Sequence, residues 1–117
     1  MSDNSLSPSA PSQGKRIMKS ENADILTDAL RLAVVDGTGT SASPENCTVA
    51  GKTATAQTGG FENDRRVLQS WFAGFFPVED PQFTVVILKE NGSSGSADCA
   101  PVFKNIAQRI CDEYIKR

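Results

Sequence analysis

The run Val49-Ala50-Gly51-Lys52-Thr53-Ala54-Thr55-Ala56-Gln57-Thr58-Gly59 decides how this chain is read. One lysine stands among small and hydroxyl residues that alternate with a period of two, as in an exposed strand. Such a strand can offer a carboxylate ligand an ammonium, two hydroxyls and unpaired backbone N–H groups. The same composition also suits a polar edge strand whose lysine discourages sheet-to-sheet aggregation.

Working outward, residues 49–57 form the first strand, and Thr58 to Arg66 reads as a mobile, charged, turn-rich loop. Residues 67–76 form a second strand with Leu68, Trp71, Phe72, Phe75 and Phe76 as its apolar mass. Gly74 interrupts it and implies that another side chain packs close over that point. Pro77 and Pro81 bracket a short connection. The near-continuous apolar run Phe83-Thr84-Val85-Val86-Ile87-Leu88-Lys89-Glu90 is a third strand, expected to be covered on both faces.

Upstream, Ser20 stands where a helix N-cap belongs. Ala23, Leu26, Leu30, Ala33 and Val34 then recur at helical spacing. Gly37 and Gly39 are expected to end that helix in the left-handed conformation. Downstream, Asn91 to Ser96 is a Gly/Ser linker, Asp98 a plausible cap, and Pro101 fits a first helical turn. Phe103, Ile106, Ala107, Ile110 and Tyr114 mark one face of a C-terminal helix. The order predicts an α+β fold: a three-stranded antiparallel meander packed with an N-terminal and a C-terminal helix. Residues 1–16, rich in Ser, Pro, Asn and Gln, read as a flexible lead-in to a folded region over 17–117.

A chain of 117 residues is one domain or less. Its net charge of −2 and pI near 5.0 argue against a nucleic-acid partner. No apolar run approaches the roughly 20 residues that a membrane helix needs, and no signal segment is evident. The chain has no histidine, which removes Ser-His and Cys-His nucleophile pairs and most metal sites. Neither a metal nor a cofactor is expected. Cys47, Cys99 and Cys111 are odd in number, so any pairing leaves one over. All three read as structural, with Cys111 a buried thiol on a helix face. Gly51-Lys52-Thr53 invites a phosphate-loop reading. That motif needs a glycine at position 46, where asparagine stands, and a strand-to-helix turn rather than a strand.

Lys52-Thr53-Ala54 resembles the Lys-Thr-Gly motif of penicillin-binding proteins and serine β-lactamases. Val34-Val35-Asp36-Gly37-Thr38-Gly39-Thr40 resembles the stretch that precedes this motif in class B penicillin-binding proteins. Ser70-Trp71-Phe72-Ala73-Gly74-Phe75 is similar to the family's next strand, and Ala100-Pro101-Val102-Phe103 to the start of its final helix. The resemblance runs in order from about residue 16 to the C-terminus. It implies the C-terminal part of a peptidoglycan D,D-transpeptidase domain.

By that resemblance, Lys52 supplies positive charge to the carboxylate of a peptidoglycan stem peptide or a β-lactam. Thr53 and Thr55 hydroxyls bond the same group, and Gln57 is a further substrate-binding residue of the strand. The backbone N–H of Thr55 is one of two oxyanion donors. Ala54 replaces the commoner glycine, so substrate lies against a methyl group. The parent protein is implied to be extracytoplasmic and anchored to the plasma membrane.

The family's chemistry also needs Ser-x-x-Lys and Ser-x-Asn motifs. Ser12-Gln13-Gly14-Lys15, Ser2-Asp3-Asn4 and Ser20-Glu21-Asn22 match as strings, but they have the wrong order and spacing. A serine in a Pro/Ser-rich lead-in also has no fixed base. The nucleophile is therefore read as absent and the chain as incapable of turnover alone. Its partners are then the remainder of the transpeptidase domain, or a second copy joined through the unpaired 83–90 strand. The alternative is a small non-catalytic binding module whose lysine strand is only a solvated edge.

Overall fold

The computed structural model describes residues 14–115. The expected lead-in, 1–16, lies almost wholly outside them; residues 14–16 are exposed and without regular structure. Helix α1 (Ser20–Asp36) is followed by a 3-10 turn (Thr40–Ala42). Strands β1 (Ala50–Glu62), β2 (Arg65–Phe76) and β3 (Phe83–Glu90) come next, then α2 (Gly95–Asp98) and α3 (Ala100–Ile110). The strands form one antiparallel sheet in the order β1-β2-β3, the predicted meander.

One face of the sheet carries the core. β2 turns Ser70, Phe72, Gly74 and Phe76 toward α3, and all four are buried. The Phe72 and Phe103 ring centroids lie 4.6 Å apart, and Phe76 meets Phe103 edge-on at 5.7 Å. Aromatic pairs at these separations add about 0.5–1.5 kcal/mol beyond their area burial. Ala100, Ala107 and Cys111 continue the apolar stripe of α3, and Val34 joins it from α1. Pro101 sits in the first turn of α3, as predicted.

Several expectations need correction. The segment from Thr58 to Arg66 is no open loop. The strands run on to a two-residue turn at Asn63-Asp64, whose φ values of 53° and 64° suit short polar side chains. A bulge between Gln57 and Phe61, with Gly59 at φ 88°, accounts for the strand-breaking composition there. β3 is covered on one face only: Phe83, Val85 and Ile87 pack on the core, while Val86 and Leu88 are 57% and 43% exposed. Apolar composition in a strand records what its faces need, not what lies over them.

Helix α1 buries only Val34; Ala23, Thr27, Leu30 and Ala33 are half-buried, and Leu26 is exposed. Gly37 ends α1 in an extended conformation, not a left-handed one. Glycine is required there by closeness, since a Cβ would stand 2.9 Å from the Ala33 backbone. Asp98 is not a cap; the Ser94 hydroxyl caps α2 by accepting from the Ala97 N–H at 3.1 Å. Cys111, read as an apolar thiol, is joined to Cys47 in a disulfide, and Cys99 stays free and buried. Tyr114, expected on the inner face of the last helix, is 72% exposed.

Candidate functional site

β1 is an outer strand, with β2 on one side and no described strand on the other. Its residues are too small to anchor a core, so burial ends at Gly51 and every position from Ala54 onward is exposed. The two-residue period divides the site residues. Thr53, Thr55 and Gln57 share the α3 side of the sheet with their β2 partners Phe72, Ser70 and Leu68. Lys52 and Ala54 leave from the opposite side.

Ammonium and hydroxyls therefore do not rise together from one face. At the free edge Lys52 Nζ bends back to donate to the Thr53 carbonyl oxygen at 3.2 Å. The Thr53 hydroxyl lies 3.1 Å from that of Thr38, in the segment after α1. Thr55 Oγ1 accepts the Gly95 N–H at 3.3 Å. Gln57 is drawn into the hairpin, its Oε1 accepting from Arg66 Nη1 at 3.0 Å. The Ala54 methyl group is open to solvent.

Thr38, Gly95 and Asp98 bear on this strand without having been singled out as site residues. Asp98 Oδ2 accepts from Ser70 Oγ at 2.7 Å and from the backbone N–H groups of Ser93 and Ser94 at 2.6 and 3.0 Å. Those bonds, the Ser70 hydroxyl first, hold its carboxyl well below the usual carboxylate range. Next to it, burial pushes the Cys99 thiol up, and the Asp98 charge adds to that. One sequence signal pointed here: Ser70 occupies an inward position two residues before Phe72, and a buried hydroxyl needs a partner.

Ser20-Glu21-Asn22 lies exposed at the start of α1, and Ser12 lies outside the described residues. Among the described residues no cluster of His, Cys, Asp or Glu could hold a metal ion. No described helix is long and apolar enough to cross a membrane.

Residues 3–108 match the family described as the penicillin binding protein transpeptidase domain. A peptidoglycan D,D-transpeptidase FtsI homolog from Chlorokybus atmophyticus is 32% identical over 111 residues, covering 88% of this chain and 16% of that protein. Stage V sporulation protein D of Bacillus subtilis is 31% identical over 104 residues, with 83% and 16% covered. Among solved structures, the D,D-transpeptidase domain of a peptidoglycan glycosyltransferase from Eggerthella lenta superposes with a TM-score of 0.68 at 31% identity, covering 92% of this chain and 25% of that one. Pseudomonas aeruginosa PBP2 in complex with WCK 5153 gives 0.72 at 28% identity, with 92% and 24% covered. This chain belongs to the penicillin-binding protein transpeptidase family and corresponds to part of a class B domain. It spans about one-sixth of the length of these curated relatives.

Proposed function

We propose that this chain supplies the lysine-bearing wall of a peptidoglycan D,D-transpeptidase site. One observation carries the reading: Lys52 stands exposed on the outer strand of the sheet, within the span that matches the family. An exposed ammonium–carboxylate pair contributes only about 0–1 kcal/mol, whereas hydrogen bonds to a charged group contribute about 1.5–3 kcal/mol. Lys52 therefore sets the sign of the ledge, and the Thr53 and Thr55 hydroxyls set its fit. The ligand is the terminal carboxylate of a stem peptide or the carboxylate of a β-lactam.

Backbone groups two residues apart point to the same side of a strand, so the Thr55 N–H shares the edge of the Thr53 carbonyl that Lys52 reaches. That N–H serves as one of two oxyanion donors. Losing one such donor typically costs a factor of about 10² to 10³ in rate, and these residues hold no activated nucleophile. Turnover requires the remainder of the transpeptidase domain, with its nucleophile facing the free edge of β1. The complete protein works outside the cytoplasm, anchored to the plasma membrane.

Fluorescent penicillin tests the first half of this reading. The chain is expected to stay unlabelled, and a mass shift on Ser12 would overturn it. Titration with N-acetyl-D-alanyl-D-alanine tests the second, with weak binding that Lys52→Ala reduces by up to about fivefold. The non-catalytic module is favoured by one observation, that both hydroxyls already have partners within the chain. It predicts no effect of Lys52→Ala.

A further inference from the structure

Ser70 is fully buried on the core side of β2, and its hydroxyl is committed to Asp98. The Asp98 side chain, 11% exposed, also draws in the backbone N–H groups of Ser93 and Ser94, and Lys89 Nζ lies 3.6 Å from its other oxygen. Hydrogen-bond donors from β2 and from the turn after β3, and a cation from β3 itself, thus converge on one carboxylate. The turn is pinned to the sheet through a side chain that lies beyond it in sequence.

The next residue in that turn is Gly95, delivered onto β1 with no room to spare. A Cβ there would stand 2.5 Å from the Trp71 carbonyl oxygen and 2.8 and 2.9 Å from the Ala54 oxygen and nitrogen. From this position the Gly95 N–H donates to Thr55 Oγ1. A hydroxyl has one hydrogen and two lone pairs. With one lone pair occupied by an N–H, Thr55 is biased to donate its own hydrogen outward. A carboxylate offers only acceptors, so it matches that polarity; a terminal amide brings donors that do not.

We propose that Asp98 is a positioning residue for the carboxylate ledge: through the Ser93–Gly95 turn it holds Thr55 as a hydrogen-bond donor toward an acyl-D-alanyl-D-alanine carboxylate. The inference rests on the ledge reading above and adds to it a second element of the fold.

The test uses the full 117-residue chain, titrated with N-acetyl-D-alanyl-D-alanine and with its C-terminal amide, followed by amide NMR. Asp98→Ala is expected to weaken binding of the free acid by roughly three- to tenfold, the range for one hydrogen bond. The amide ligand should bind no worse, and Gly95 amide protection should fall. A purely structural role would weaken both ligands alike. Asp98→Asn keeps an acceptor for the turn and should fall between wild type and Asp98→Ala; should Asp98→Ala fail to fold, this variant carries the test. Unchanged affinity in the Asp98 variants, while Lys52→Ala still weakens binding, overturns the inference and leaves the ledge reading standing. Indifference to Lys52→Ala as well overturns both.

Discussion

The Phe103 ring comes so close to β2 that a Cβ on Gly74 would stand 2.8 Å from its Cζ, and 2.7 Å from the Ala50 carbonyl oxygen. Helix α3 can approach the sheet this closely only because position 74 has no side chain. Gly74→Ala should therefore destabilise the fold by about 1–3 kcal/mol, the usual cost of overpacking. Phe103→Leu in the same chain should recover part of that loss, since neighbouring substitutions couple. Urea midpoints of the single and double variants read this directly, and an unchanged midpoint for Gly74→Ala would refute it.

The Cys47–Cys111 bond closes a loop with a sequence separation of 64. Chain-entropy arguments give such a closure at most about 4 kcal/mol. Beside it, Asn46 Nδ2 donates to the Gln108 carbonyl at 3.0 Å and to Asp112 Oδ1 at 2.6 Å. Those bonds survive reduction, so reductant should lower the urea midpoint and leave the circular dichroism of the folded state intact. Cys99, buried and with its thiol shifted up, should resist iodoacetamide until the chain unfolds. Alkylation of native Cys99 at neutral pH would contradict this.

Asp98 sets an acid limit on the turn over β1. Its folded-state pKa lies below the unfolded value of about 3.9. Its stabilising contribution is therefore complete above that value and is lost as pH falls through the lower folded one. The Ser93, Ser94 and Gly95 amide signals should hold their positions down through about pH 4 and move only in stronger acid. In Asp98→Asn that transition should vanish. A midpoint at the ordinary carboxylate value would mean that the Ser70, Ser93 and Ser94 bonds are not made in solution.

β3 leaves Val86 and Leu88 uncovered opposite Ala73 and Trp71. Its outer edge has no described strand beside it. An apolar strand of this kind is a template for pairing with another chain. Sedimentation velocity should show association that grows with concentration. Val86→Lys should suppress it at a cost within about 0.5 kcal/mol, as for surface substitutions generally. A monomer at every concentration would exclude this edge as a contact.

The order of elements was legible because each carries its own period. The aromatic stripe of 67–76, the helical spacing after Pro101 and the small-residue alternation around Lys52 needed no long-range information. Gly74 was legible for a related reason: a glycine inside an aromatic strand points to a close neighbour, which proves to be Phe103. What stayed hidden was pairwise. Ser70 and Asp98 are 28 positions apart and Cys47 and Cys111 are 64 apart, and no local pattern links them. The Asn63-Asp64 turn was obscured by the Thr58-Gly59-Gly60 run, which breaks strands by composition yet serves here as a bulge. In the site itself, period-two alternation was visible in the sequence. Its consequence is that Lys52 and the two threonines leave from opposite sides; which of those sides bears α3 is fixed only by the pairing with β2.

The covalent tie between Cys47 and Cys111 encloses all three strands. A protease that nicks the chain once anywhere between those cysteines leaves both pieces on one molecule. Electrophoresis without reductant would show a single intact-sized band; with reductant, two fragments.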